Sequence, residues 1–499
     1  MRSVSEHKDV VEKYIGGECA AKRLLGPFDR SHFPHVHVSP FGVIPKSEPG
    51  KWRLILDLSS PEGGSVNDGI SKELCSLSYM SIDDVAARVV RLGRGALMAK
   101  FDLKSAYRNI PVHPDDRWLL GMVWEDRLFV DTALPFGLRS APIIFNAVAE
   151  ALAYIMRKDG IKEIDHYLDD FSLVGPPESK ACQEDLDTAL ETCNRLGFPV
   201  AEEKTEGPAT LITLLGIELD SVRLQLRLPL EKLQKLRELV TKWRRRKVCT
   251  KKELQLLSGH LSHACKVIRP GRRFLRGLFG LISQFRRQDH MIRLNSAFRA
   301  DLEWWHMFAT SWNGVSMMRE ATKEHDRKVE IWTDASGSWG CGGLWGVRWF
   351  QVAWSAWPDF AEASIAAKEL QLPIIVAVAI WGPWWRGNVV LCHCDNQSVV
   401  DVVRGGYGRD SRLALMLRCL FFLEAKFDCS LSAMHVPGIQ NEAADSISRN
   451  NLNKFFHLNS QAQPQPSQIP ADLVGRLVTG SPWTEHTWRV WLETLSQNP

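Results

Sequence analysis

The stretch 162-KEIDHYLDDFSLVG-175 sets Asp169 and Asp170 side by side among residues that otherwise read as strand. Asp is depleted in strands, and two adjacent carboxylates repel each other and lose hydration when partly buried. The flanks show how the chain accommodates them. Ile164, Tyr167 and Leu168 before the pair, with Phe171, Leu173 and Val174 after it, predict two short strands joined by a tight turn with the acids at its tip. An acidic surface turn fits this hairpin, because Asp is a common turn residue. A divalent-cation site fits it too, because a cation cancels the repulsion and takes oxygen ligands of this kind. A second acid arriving from elsewhere in the chain would separate the two readings.

Asp102 is that acid. In 95-GALMAKFDLKSAYRNIPV-112 the residues Leu97, Ala99 and Phe101 alternate with Met98, Lys100 and Asp102, so Asp102 ends a strand on the face opposite its apolar set. A strand-end Asp and a hairpin-tip Asp pair can converge on two Mg²⁺ ions suited to phosphoryl transfer. Between them lies 134-LPFGLRSAPIIFN-146, a Gly/Pro loop opening into a helix. Upstream, 44-IPKSEPGKWRLILDLS-59 puts Lys46, Lys51 and Arg53 around a turn able to grip a triphosphate.

Bulk properties narrow the class. With 499 residues, 45% hydrophobic and 24% charged, the chain is long enough for three or four units of ordinary globular composition. Eleven Cys with no repeated spacing and no CxxC predict a reducing, intracellular setting, and 392-CHCD-395 reads as a strand with small buried thiols. The N-terminus lacks the apolar run of a signal peptide, and the longest greasy stretch, from Leu372, is broken by Pro373, Gly382 and Pro383; no membrane partner is expected. Charge is uneven. Residues 231–299 carry 19 Lys/Arg against 4 Asp/Glu in a chain whose net charge is only +4. Leu233, Leu236, Leu239 and Val240, then Leu254, Leu257 and Leu261, recur there at helical spacing. A single-sign face this dense predicts a polyanionic partner, nucleic acid first.

The motifs FDLKSAYRNIPV, LPFGLRSAPIIFN, YLDD, LGFPVAEEKT and LLGIELD follow one another in the order found in reverse transcriptases, which residues 39–227 resemble. The resemblance implies a right-hand polymerase of fingers, palm and thumb. It implies metal ligation by Asp102 and Asp169 with Asp170 at or beside the site, triphosphate contacts from Lys46 and Arg53, and primer contact from Leu215 and Gly216. Lys204 would stand where the family has a lysine able to protonate the leaving pyrophosphate. Tyr107 takes the position of a bulky residue against the sugar; a core aromatic and a barrier to a ribose 2′-OH are both open readings of it.

A second acid set follows. Asp334 ends the predicted strand in 329-VEIWTDASG-337, and Asp395 closes 388-NVVLCHCD-395. Glu369 lies on the apolar stripe of Ile365, Leu372 and Val376 in a predicted helix interrupted by Pro373, and a carboxylate there needs a partner. Asp445 follows Asn441, a predicted N-cap in 440-QNEAADSISR-449. The Trp residues nearby, Trp332, Trp345 and Trp354 among them, read as core rather than stacking platforms. Residues 328–450 resemble ribonuclease H, and the four acids match its Asp-Glu-Asp-Asp set in order. That implies two-metal hydrolysis of the RNA strand of an RNA–DNA hybrid. The segment before Asp445 is shorter than in many relatives, and His435 precedes its Val-Pro, so His435 receives no catalytic role.

The expected fold is therefore α+β and α/β multidomain: an N-terminal extension (1–38), fingers and palm (39–227), a basic helical thumb and connection (228–327), a mixed-sheet ribonuclease H-like domain (328–450), then a Pro/Gln linker and tail (451–499). Its implied cofactor is Mg²⁺, two ions per active site with Mn²⁺ able to substitute, and its partners are RNA template, DNA primer, RNA–DNA hybrid and dNTPs. The stretch 249-CTKKELQLLSGHLSHACKVIRPGRRFLRGL-278 resembles the DIRS-type retrotransposons, which integrate through a tyrosine recombinase. No Tyr follows residue 450, so a separate recombinase is expected. A decayed or domesticated copy that only binds nucleic acid is the alternative. A nucleotide hydrolase of the GxxxxGK[ST] type is excluded by the absence of that loop.

Overall fold

A computed structural model describes residues 2–45, 50, 52–287, 290–318, 328–356, 365–405 and 411–469. The chain forms two compact units, Met1–Leu214 and Leu215–Pro499.

In the first unit the decisive stretch folds as predicted. Strands Ile164–Tyr167 and Asp170–Gly175 form a hairpin, and the second pairs antiparallel with Leu97–Asp102, which pairs in turn with Glu206–Ala209. Helices Ala141–Lys158 and Ala181–Arg195 pack on this sheet, burying Phe145, Leu152, Met156 and Leu186 against Phe101, Phe171 and Leu173. The apolar-in pattern read from sequence is thus the core beneath this sheet. A second core gathers Val11, Ile15 and Leu24 with Val43, Leu54, Leu56, Met122 and Phe129. Residues 1–38 belong to it: strand Leu24–Asp29 pairs antiparallel with Arg127–Asp131, and helix Lys8–Ala20 covers it.

The second unit opens on basic helices. Leu230–Arg244 buries Leu233, Leu236, Val240 and Trp243, and Lys251–Ala264 buries Leu254, Leu257 and Leu261, leaving the charged residues outward. Thr250 caps the latter helix through a reciprocal bond with Glu253. Helix Ser296–Ser311 adds Trp304, stacked between Phe274 and Phe308 at 3.8 and 5.0 Å.

Beyond them lies a five-stranded mixed sheet, ordered Arg348–Ala353, Gly340–Trp345, Lys328–Ala335, Val389–Cys394, Ser430–His435. The first three strands run antiparallel and the last two parallel to Lys328–Ala335 and to each other. Helix Ile365–Trp381 continues through Pro373, whose ring is buried. Cys392 and Cys394 are buried free thiols, as the CHCD reading predicts. Trp354 is core; Trp332 and Trp345 are partly exposed, the first stacked on His393 at 4.0 Å. Described residues beyond Asp445 pack on the sheet: Leu452–Leu458 buries Phe455, and Gln463 and Ser467 donate backbone bonds to Val347 and Trp349. Among the described residues no helix is long and apolar enough to cross a membrane.

Candidate active sites

Register builds the first site. Asp102, the last residue of its strand, pairs directly with Asp170, the first of its own. Asp169 precedes it in the turn, after Leu168 at φ 55°, and its carbonyl accepts a bond from Leu103 N at 3.1 Å. Phe101 and Phe171 stack at 4.9 Å on the apolar side of the pair, fixing both strands where the acids leave them. The LGFPVAEEKT segment closes the rim: Lys104 N bonds Pro199 O at 2.7 Å and Ala201 N bonds Asp102 O at 2.8 Å. That brings Lys204 Nζ to 3.0 Å from Asp102 Oδ2.

The electrostatics follow from this crowding. Burial first, then a hydrogen bond and repulsion from Asp102 and Asp169, push the Asp170 carboxyl up to about 6. Burial and Asp102 push Asp169 upward too, opposed by Lys204 and Arg53. Lys204 loses some basicity to desolvation but gains more from Asp102, and its ammonium is held above the usual range. All the donors are hard carboxylate oxygens whose repulsion a cation would relieve, so the residues fit Mg²⁺. Among the described residues no group of three or more His, Cys, Asp or Glu side chains is arranged so as to hold a metal ion.

Arg53 and Tyr107 both lie within the electrostatic reach of Asp169. Arg53 lies 5.5 Å from the Phe136 ring and acts on Asp169. Phe136 is placed by the LPFG turn, whose Gly137 sits at φ +102° with Leu56 O only 2.6 Å from where a Cβ would stand. Asn67 secures that loop, donating to Gly137 O and accepting from Arg139 N at 2.9 and 2.7 Å. Tyr107 packs on Phe136 and Phe145 at 5.2 and 5.3 Å; burial, then the Asp169 charge, raise its hydroxyl to about 12. Lys46 and Lys51 lie outside the described residues. Leu215 and Gly216 begin the second unit with φ of 49° and 73°; Gly216 O accepts from Lys232 Nζ at 3.0 Å, and His263 Nε2 lies 3.3 Å from Leu215 O.

The second site also rests on register. Trp332 pairs with His393 across parallel strands, so two residues further on Asp334 and Asp395 leave neighbouring strand ends level with each other. Asp445 arrives on helix Glu442–Ser448, which approaches strand Gly340–Trp345 closely because Gly342 has no side chain; a Cβ there would lie 2.2 Å from Ile447. Ser448 Oγ donates to Asp334 Oδ2 at 2.5 Å. Arg449 Nε donates to Asp445 Oδ1 at 2.5 Å, and its basicity is raised by that bond first and by Asp334 and Asp395 after it. Three of the four acids therefore act on one guanidinium. The Glu369 side chain lies outside the described residues.

Two details depart from the sequence reading. Asn441 occupies the N-cap position without capping; its Nδ2 instead donates to Thr333 O at 3.1 Å, because that buried strand carbonyl lies within its reach. Ser448 and Arg449 carry no motif of their own, although an Arg four residues after an Asp on a helix is a legible pair. His435 pairs with Cys394, its Nε2 3.1 Å from Asp395 O.

Comparison with known proteins bears on residues 44–219. Residues 44–219 match the family described as reverse transcriptase (RNA-dependent DNA polymerase). They form a reverse transcriptase domain. The Pro-Pol polyprotein of feline foamy virus is 23% identical over 181 residues, 36% of this chain and 14% of that protein. The Pol polyprotein of transposon 412 from Drosophila melanogaster is 25% identical over 193 residues, with the same two shares. The chain thus spans about a seventh of these curated relatives. A foamy viral protease–reverse transcriptase solved with double-stranded DNA has a similar fold, with a TM-score of 0.51 and 17% identity over 86% of this chain and 70% of that one. The reverse transcriptase domain contains Asp102, Asp169, Asp170, Arg53, Tyr107 and Lys204.

Proposed function

We propose that the chain is an RNA-directed DNA polymerase that copies a retroelement RNA and, through residues 328–450, degrades the RNA strand of the resulting RNA–DNA hybrid. The pairing of Asp102 with Asp170 beside Asp169 carries the first half. Mg²⁺, two ions per site and replaceable by Mn²⁺, would supply when bound an activated hydroxyl and a stabilised leaving oxygen. Asp102, Asp169 and Asp170 would hold it in the palm. Lys46 and Arg53 grip the triphosphate of a dNTP, and Lys204 delivers a proton to the departing pyrophosphate. Tyr107 stands against the sugar and disfavours a 2′-OH. Leu215 and Gly216 support the primer terminus.

Asp334, Glu369, Asp395 and Asp445 form the second metal set in a ribonuclease H-like domain, a reading supported by the mixed strand order and by the level strand ends of Asp334 and Asp395. Fingers and palm span 39–227 and a basic thumb and connection 228–327, whose single-sign helices suit the phosphates of template, primer and hybrid. The two activities complement each other, since DNA made on RNA stays locked in a hybrid until the RNA is cut. A DIRS-type retrotransposon, with integration by a separate recombinase, fits the connecting segment. The test is primer extension on an RNA template beside cleavage of a labelled hybrid, each with Mg²⁺ and with chelator. Metal-dependent activity in both assays is expected; a folded chain with neither would leave only nucleic-acid binding.

A further inference from the structure

Tyr107 and its neighbour Arg108 share the short 3₁₀ turn Ala106–Asn109, closed by Arg108 N donating to Ser105 O at 2.7 Å. They serve different surroundings. Tyr107 is only partly buried and packs on Phe136 and Phe145 within the electrostatic reach of Asp169. Arg108 is 5% exposed and every nitrogen of its guanidinium is engaged. Its Nε and Nη2 donate to Glu18 Oε2 at 3.0 and 2.8 Å, Nη2 also reaches Asp131 Oδ1 at 2.6 Å and Arg23 O at 3.3 Å, and Nη1 bonds Ala133 O at 3.0 Å. Arg23 grips Glu18 from the other side at 3.0 and 2.7 Å.

Two anions and two cations therefore balance inside the fold, and Glu18 comes from the N-terminal helix 90 residues away in sequence. A planar fork held at this many points fixes the backbone that carries it. Removing Glu18 would leave the buried Arg108 with one anion and one fewer anchor, a change the turn can relieve only by moving. One peptide bond separates that anchor from Tyr107. The Tyr107 ring has aromatic neighbours but no hydrogen-bonded anchor of its own among the described contacts, so its position depends on the backbone beneath it.

We propose that Glu18, acting through Arg108, is a positioning residue for Tyr107, so that the N-terminal helix helps set which nucleotide sugar the polymerase accepts. The proposal rests on the reading of Tyr107 as the residue that meets the sugar. A network serving stability alone would lower incorporation of both sugars together; a positioning network changes their ratio.

The experiment measures kcat/KM for a dNTP and for its matching rNTP in single-nucleotide incorporation by the full chain, and reports their ratio, which is insensitive to the fraction of enzyme folded. Tyr107→Ala should lower the discrimination most. Glu18→Gln should lower it by a factor of roughly 2 to 30, the span of coupling carried by a neighbour outside the site. Glu18→Asp, which keeps the charge, should recover part of it. If Glu18→Gln yields no folded protein, Arg23→Gln loosens Glu18 from its more exposed side and should move the ratio in the same direction. A ratio unchanged in Glu18→Gln, or in Arg23→Gln where that must be used, while Tyr107→Ala shifts it, overturns the positioning role. A ratio unchanged in Tyr107→Ala overturns the sugar reading itself, and this proposal with it.

Discussion

The two carboxylate clusters are assembled through opposite strand geometry. In the first, antiparallel neighbours set Asp102 directly across from Asp170, and the hairpin adds Asp169 from the next residue, so three acids crowd one rim with Lys204 bonded to Asp102. In the second, parallel neighbours bring Asp334 and Asp395 level, and each remaining acid must arrive on a separate helix, with Ser448 and Arg449 as partners. A hairpin concentrates acids cheaply in sequence and expensively in electrostatics. A parallel sheet spreads them over a hundred residues and sets Ser448 on Asp334 and Arg449 on Asp445.

Substitution at either rim breaks the comparison most severely. Asp169→Asn should reduce primer extension by about a thousandfold or more, the scale of losing a metal ligand, and leave hybrid cleavage intact. Asp395→Asn should do the converse. Loss of both activities in either folded variant would mean that the sites are not independent. Next in size is Lys204→Ala, expected to slow nucleotide addition by about a hundredfold as a lost general acid, read by single-turnover incorporation, with cleavage again unchanged.

Smaller effects sharpen the contrast. Ser448→Ala removes the hydroxyl donated to Asp334, a hydrogen bond to a charged group worth about 1.5–3 kcal/mol, and should cut hybrid cleavage by roughly ten- to a hundredfold without touching synthesis. The crowded rim also carries a pH signature. Asp170 has its folded value raised to about 6, so its contribution to metal-free stability is fully present below the ordinary carboxylate range and is lost as pH rises through about 6. Metal-free thermal unfolding should therefore shift to lower temperature between about pH 4 and 7, and Asp170→Asn should flatten that slope. An unchanged slope in the variant would assign the strain elsewhere.

The sequence made these sites unequally legible. YLDD announces itself because adjacent acids contradict strand propensity within four residues, and Asp102 because period-two alternation ends on it. The mixed sheet was visible in outline, since strand runs and Gly-containing turns alternate. Contacts between distant residues were not: nothing in 8-KDVVEKYIGGECA-20 signals that Glu18 meets Arg108, because an ion pair across 90 residues has no spacing rule. For the same reason strand Leu24–Asp29 stayed unread until it paired with Arg127–Asp131. Asn441 was read from its local N-cap pattern, whereas a buried carbonyl on another strand claimed its side chain. Polar composition likewise hid the packing of Gln463 and Ser467 on Val347 and Trp349, which uses backbone groups that composition does not report.

The central claim is that each carboxylate cluster holds divalent cations independently of the other. Water-proton relaxation during titration of Mn²⁺ into the full chain, bound to a chain-terminated primer–template and a dNTP, counts those ions directly. Asp102→Asn should remove one class of bound Mn²⁺ and Asp334→Asn a different one; an undiminished count in both variants would contradict the account.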